Sequence, residues 1–405
     1  MSTVEVNIGY LPLTDSALLV AASERGFAEE EGIALRLLRE TSWANIRDRM
    51  SVGHFEAAHL LAPMPIAAAL GLWPLQQKVY APMALGLGGN AVTVSRALFE
   101  GMSDELEFSV EEPATAGSAL RRLIDRRANG GARKLQFGVV HEHSGHNFDL
   151  RYWLSASGIT PDAEVTIVVI PPAYLPDALE SGQIDGYCVG EPWNTVAVAR
   201  GVGHIVTTKS AIWKSSPEKV LGVRAEWIER QPEAASALIR AIYRAAKWCG
   251  DDNNTGTLVA ILARPEYLNQ PVEYLLPGLD NSIVAGSGAS KVRFFEPVAH
   301  AATFPWQSHA LWFYSQMVRW GQVEHSASNA ELARRSFRPD LYRTALRSLS
   351  EPVPVANAKV EGALKESQPV GVSQGTLNLG PDGFFDGRIF DPDRLDEYLV
   401  PDSGA

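Results

Sequence analysis

Across 405 residues, 46% hydrophobic and 20% charged, the chain has the make-up of a folded globular protein long enough for two lobes. Its net charge of -11, with no basic stripe, argues against direct nucleic-acid binding and requires any anion site to be local. No stretch reaches the about 18 uninterrupted apolar residues of a membrane span, and Cys188 and Cys249 fit a reducing compartment without showing a disulfide framework.

The first ten residues lack the basic segment, apolar run and cleavage site of a secretory signal, so the expected location is cytoplasmic. Residues 4–10 alternate apolar and polar as a strand does. Residues 17–27 read as a helix, with Asp15 or Ser16 as N-cap, and 34–38 as a second strand. Trp43 precedes a helix from Ala44 whose Arg47, Asp48 and Arg49 take the wet face. Trp43 suits a ligand wall and an ordinary half-buried tryptophan equally. Residues 55–61 form a strand candidate, 66–70 a helix and 80–87 an apolar run. Gly88 and Gly89 then break the chain beside the Asn90 amide, which allows either close approach to a ligand or a simple turn. A helix over 111–129 carries Arg121, Arg122, Arg126 and Arg127, a pattern of a solvated face.

Residues 134–154 hold the most informative stretch. A buried strand over 135–140 leads into the polar turn 141–147, and a helix is expected from Phe148. In open α/β sheets such strand-to-helix loops bind ligands, and an unpaired helix N-terminus favours anions. With three imidazoles and Ser144 in the turn, a small-anion site is expected here. His141, His143 and His146 also have the look of a metal cluster, but no acidic or cysteine ligand stands at a zinc spacing. Neither metal nor cofactor is expected. His146, nearest the helix start, is the preferred ligand.

Further on, 165–170 is a β-branched strand ending in Pro171 and Pro172, 175–181 a short helix, and 203–207 a returning strand. Residues 211–222 mix Lys214 and Lys219 with turn formers. Residues 226–248 form a long helix, 281–340 a region rich in core aromatics, and 351–405 a strap with much Pro, Gly and Ser. The alternation of strands and helices implies parallel sheets covered by helices. The expected layout is an α/β protein with 1–95 and about 205–350 in one lobe, about 96–204 in the other, and a ligand cleft between them.

These residues are specific enough to place beside a family. The stretches IGYLPLTDSALLVAASERGFAEEEGI, TSWANIRDRM, AHLLAPMPI, RYWL after His146, CVGEPWN, WKSSPEKVLG and FFDGRIFDP run from residue 8 to about 392. Together they resemble the nitrate- and bicarbonate-binding proteins of ABC transporters, the NrtA/CmpA type. The resemblance implies a type II periplasmic-binding-protein fold with the anion held between two lobes, and a binding protein rather than an enzyme. It implies that Trp43 falls on the family's tryptophan, His146 on its histidine, and Asn90 where the family has the longer glutamine. Lys219 matches the family's lysine, with Lys214 as the alternative, and Gly145 and Pro171 complete the expected ligand-binding set. A lysine at this position resembles the nitrate form, a carboxylate the bicarbonate form. Without an export signal the chain is most similar to the cytoplasmic nitrate/nitrite sensors of this family, the NasS type. That resemblance implies a NasT-like partner, an ANTAR-domain response-regulator antiterminator that is released when nitrate or nitrite binds. The alternatives are the substrate-binding protein of a nitrate, bicarbonate or sulfonate ABC transporter, and an enzyme similar to thiamine-pyrimidine synthases. Against the enzyme, the candidate loops show no paired carboxylates and no nucleophile–base pair.

Overall fold

Alternating burial along Val4–Tyr10 builds β1, which pairs in parallel with β2 (Ile33–Arg39) and β3 (Ala57–Leu61). The other strands are β4 (Val79–Ala84), β5 (Leu87–Gly88), β6 (Asn90–Ser95), β7 (Leu135–Val139), β8 (Val165–Val169), β9 (Gly186–Gly190), β10 (Gly203–Thr208) and β11 (Lys219–Arg224). The computed structural model describes residues 3–104, 112–285, 288–289 and 294–400. Within them, two five-stranded sheets run in the orders β2-β1-β3-β11-β4 and β10-β6-β9-β7-β8. Every residue of β3 and β9 is buried, as strands covered by helices on both faces require.

The sheets are mixed rather than parallel. β11 runs antiparallel to β3 and β4, and β6 runs antiparallel to β9 and β10. Both are the strands by which the chain changes lobe, so they enter the sheet from the opposite end. Residues 90–95, grouped with the first lobe in the sequence reading, pair in the second sheet. Residues 211–222, read as basic residues among turn formers, take in the end of a short helix, Lys209–Ile212, a connection, and the start of the interior strand β11. The helix expected over 111–129 spans Pro113–Asn129, and residue 111 lies outside the described residues. The long helix expected over 226–248 is broken at Gln231 into Ala225–Arg230 and Pro232–Cys249, because proline starts helices but interrupts them inside.

The chain crosses between sheets at 85–89 and again at 209–218. Gly86, Gly88 and Gly89 all have positive φ in the first crossing. At Gly88 φ is +77°, and an added Cβ would sit 2.2 Å from the Phe294 carbonyl oxygen. The strap runs beside the second crossing. The Phe385 amide donates to the Ile212 carbonyl (2.9 Å), and Phe384 stacks on Trp213 with centroids 4.6 Å apart. Glu361, fully buried in the strap, accepts from Ser308 Oγ (2.6 Å) and pairs with Lys359, which also reaches Asp382 at 2.8 Å.

The close approach at Gly88 gives a stability prediction. Gly88→Ala, which adds both left-handed strain and a steric clash, should lower the unfolding free energy by roughly 1–3 kcal/mol. Urea denaturation measures this, and a wild-type midpoint would show that the crossing is not so constrained.

Candidate functional site

Where the two sheets face each other, helix starts and strand ends bring charged side chains into the interior. Ser144 caps the helix Gly145–Ala156 by accepting from the Asn147 amide (3.0 Å). The helix therefore begins three residues before the expected Phe148, and His146 sits in its first turn, fully buried. Ser42 caps Trp43–Ser51 in the same manner through the Asn45 amide, which places Trp43 at the first helical position. Lys219 is the first residue of β11 and Asn90 the first of β6. The expected quartet thus comes from both lobes and lies in the interior.

Trp43 brings two other members of the quartet together. Trp43 and His146 have ring centroids 5.8 Å apart, and Lys219 Nζ stands 5.3 Å from the Trp43 ring centre. Asn90 lies on the same wall, beside the Asp149 carboxylate. Trp43 Nε1, both amide atoms of Asn90 and both ring nitrogens of His146 are buried without a hydrogen-bond partner. Buried polar groups are nearly always partnered, so unpartnered ones converging on one place point to a ligand. Gly145 belongs to the same place, because its missing side chain leaves room for Glu218, whose Oε2 would lie 2.0 Å from an added Cβ. Lys214 and Pro171 stand elsewhere. Lys214 is exposed and lines a separate cavity of about 410 Å³ with Phe294, His300 and Pro381. Pro171 is half-buried after β8, next to Pro172, which lines a cavity of about 240 Å³ with Leu11, Glu40 and Trp193.

Sequence reasoning missed five further residues, and three of them are carboxylates where none was expected to pair. Glu218 Oε1 lies 3.4 Å from His146 Nδ1 and 3.1 Å from Lys219 Nζ, while its Oε2 lies 3.1 Å from Lys209 Nζ. Asp149 is 2.5 Å from Lys209, and Asp15 is 2.9 Å from Lys219 and 3.3 Å from His59. Asp15, read as a possible N-cap, makes no capping bond and turns inward instead. Each had a signal. Asp149 follows His146 by three residues, one helical turn along the same face. Glu218 adjoins Lys219, and His59 interrupts an otherwise apolar strand.

Burial and pairing pull these groups in opposite directions. Burial raises the carboxyl of Glu218, but Lys219, His146 and Lys209 outweigh it and hold it at about 2. Asp15 is likewise held below the ordinary range because Lys219 and His59 outweigh burial. At Asp149 burial outweighs Lys209 and the pKa rises to about 6. Burial also takes His146 down to about 3, against Glu218. Lys209 remains above its usual value because Asp149 and Glu218 outweigh its burial. The Cys188 thiol, pushed up by burial, is not poised as a nucleophile. His141 Nδ1 accepts from the His143 amide (3.0 Å), which turns that ring into the loop.

Glu191 closes the cleft from the second lobe. Its carbonyl accepts from the Thr14 amide of the first lobe (2.9 Å), while its own carboxyl has one oxygen on the Thr195 amide and the other unpartnered. Burial raises this carboxyl to about 7. A raised carboxyl favours the folded state while protonated. Its contribution is whole below the unfolded value of about 4.3 and is lost as pH climbs through about 7. Glu191→Gln should therefore stabilise the protein at pH 8.5 by roughly 1–3 kcal/mol, with the gain shrinking toward zero near pH 4. Urea titrations at the two pH values check this, and an equal effect at both would contradict it.

Comparison with known proteins places the chain. A model described as the NMT1-like family matches residues 1–263. The nitrate import ATP-binding protein NrtC of Synechocystis is 33% identical over 362 residues, which are 87% of this chain and 51% of NrtC, so the chain spans about half of that relative. The nitrate/nitrite binding protein NrtA of Synechococcus elongatus is 30% identical over 410 residues, covering 97% of this chain and 85% of NrtA. The crystal structure of the periplasmic nitrate-binding protein NrtA from Synechocystis superposes with a TM-score of 0.85 at 26% identity, covering 98% of both chains. The fold is accordingly the two-lobed α/β type II periplasmic-binding-protein fold, and the chain belongs to the NMT1-like family, within its group of NrtA-type binding proteins.

Proposed function

We propose that this protein binds nitrate or nitrite in the cleft, with Trp43, Asn90, His146 and Lys219 as its direct contacts. The observation that carries the reading is the set of buried, unpartnered donors on Trp43, Asn90 and His146 gathered around Lys219. A planar monoanion accepts hydrogen bonds in its plane and needs one nearby cation, without a metal. By resemblance to the two forms of the family, a lysine rather than a carboxylate at position 219 favours nitrate over bicarbonate. Relatives named as binding proteins favour binding over catalysis. Hydrogen bonds to charged groups contribute about 1.5–3 kcal/mol, so Lys219→Ala and His146→Ala should each weaken nitrate binding by roughly 10- to 150-fold. Calorimetry on variants shown to be folded tests this, and wild-type affinity in both would move the site elsewhere. Loss of nitrate binding in Lys219→Glu, and its retention in Lys214→Glu, would separate the two lysines.

The finer part of the proposal is a sensor. Anion binding closes the lobes and releases an ANTAR-domain antiterminator of the NasT type that holds the open form. Support comes from the sealed site, whose ligand groups are all buried, so that occupancy and opening are linked. The free thiols of Cys188 and Cys249 suit the reducing cytoplasm proposed for it. The transport-receptor reading remains the rival, supported by the likeness to periplasmic NrtA over 98% of the chain. Linkage separates them, since the partner must weaken nitrate binding by the factor by which nitrate weakens the complex. Titrating nitrate into free protein and into the preformed complex should give Kd values that differ by that factor. Equal values, with the complex still dissociating, would rule out the sensor.

A further inference from the structure

We infer that Glu218 makes anion binding proton-coupled: one proton enters with the anion and is held between His146 and Glu218. This rests on the anion-binding reading and adds a second bound species to it.

The inference starts from a charge count. Asp15, Asp149 and Glu218 face Lys209 and Lys219, and no side chain of the five is more than 4% exposed. With the imidazoles neutral, the cluster holds one negative charge in excess. Both lysines are already engaged, Lys209 by Asp149 and Glu218, and Lys219 by Asp15 and Glu218. Among the described residues of the cluster, no ammonium is left uncommitted for an anion. A monoanion arriving alone would double the excess in a space shielded from water, where like charges repel most strongly.

A proton removes the conflict, and the geometry selects its place. His146 is the imidazole among the ligand groups, and its Nδ1 lies 3.4 Å from Glu218 Oε1. The charged groups acting on it are Glu218 and Asp15, which favour the imidazolium, and Lys219 and Lys209, which oppose it. His59 faces Asp15 from β3, and Asp15 also holds Lys219. Without an anion on its ring, burial keeps His146 neutral. An anion on its ring adds the negative charge that reverses this balance. Glu218 is fixed for the task, pressed against the start of the helix Gly145–Ala156 where only glycine leaves room for it. A carboxylate there also gains from the helix dipole. Glu218 is thus a positioning residue, acting through His146.

The test is calorimetric titration of nitrate, with nitrite in parallel, into the intact protein in phosphate, HEPES and Tris at pH 7.5. The dependence of the heat on buffer ionisation enthalpy should report about one proton taken up per anion. Between pH 7 and 8.5 the Kd should weaken about tenfold per pH unit. Binding with no proton exchange and a flat Kd would overturn the inference and leave the anion reading intact. No binding of either anion at any pH would overturn both. In Glu218→Gln, proton uptake should fall toward zero and the Kd should become flat, and wild-type uptake would remove Glu218 from the assignment. Should that variant fail to fold, ¹⁵N shifts of His146 in the wild type decide. An imidazolium in the nitrate complex supports the inference, and a neutral ring there overturns it.

Discussion

Glu218 touches Lys209, Lys219 and His146 at once, and the interior of the cleft is arranged around keeping that contact complete. A charge taken out of water costs several kcal/mol unless it is paired, and removing one partner strands the other. Lys209 therefore carries Asp149 with it, Lys219 carries Asp15, and Asp15 carries His59. Gly145 belongs to the same constraint, since a side chain there would displace the carboxylate. The ion pairs are not free-standing stabilisers. They hold a set of directions into which an anion can fit, and they couple both lobes to one electrostatic centre.

Two helix starts converge on this centre, those of Trp43–Ser51 and Gly145–Ala156, each capped by a serine. Capping fixes the first turn, so that Trp43 and His146 are held by the helix rather than swinging with the loop before them. The rigidity of the site thus comes from ordinary helix chemistry, and the strands contribute Asn90 and Lys219 at their first residues.

Much of this was legible in the sequence, and the remainder failed for definite reasons. The strands of 4–10, 135–140 and 165–170 announced themselves by alternation, an apolar run and β-branched residues, and the His146 loop by its polarity between strand and helix. Its cap was visible too, as Ser144 three residues before Phe148's neighbour Asn147, but the histidines drew the reading toward a loop. β11 escaped because its lysine and proline surroundings look like a turn, and only the β3 and β4 neighbours make it a strand. Choosing between Lys214 and Lys219 was equally out of reach, since five residues separate an exposed side chain from a buried one. The carboxylate cluster was hidden for a related reason. Asp15, Asp149 and Glu218 lie far apart in the chain, and spacing alone cannot reveal a meeting made by two sheets.

The strap ties down one edge of the cleft. One crossing between the lobes carries three glycines with positive φ, while the other has strap residues hydrogen-bonded along 212–214. Asp386 of the strap also accepts from Tyr152 Oη in the second lobe (2.8 Å). A swing of one lobe from the other must carry this bolted edge with it or pivot beside it. A hinge along that edge would work as a door hung on one jamb, with the gap widest at the residues farthest from residues 381–386.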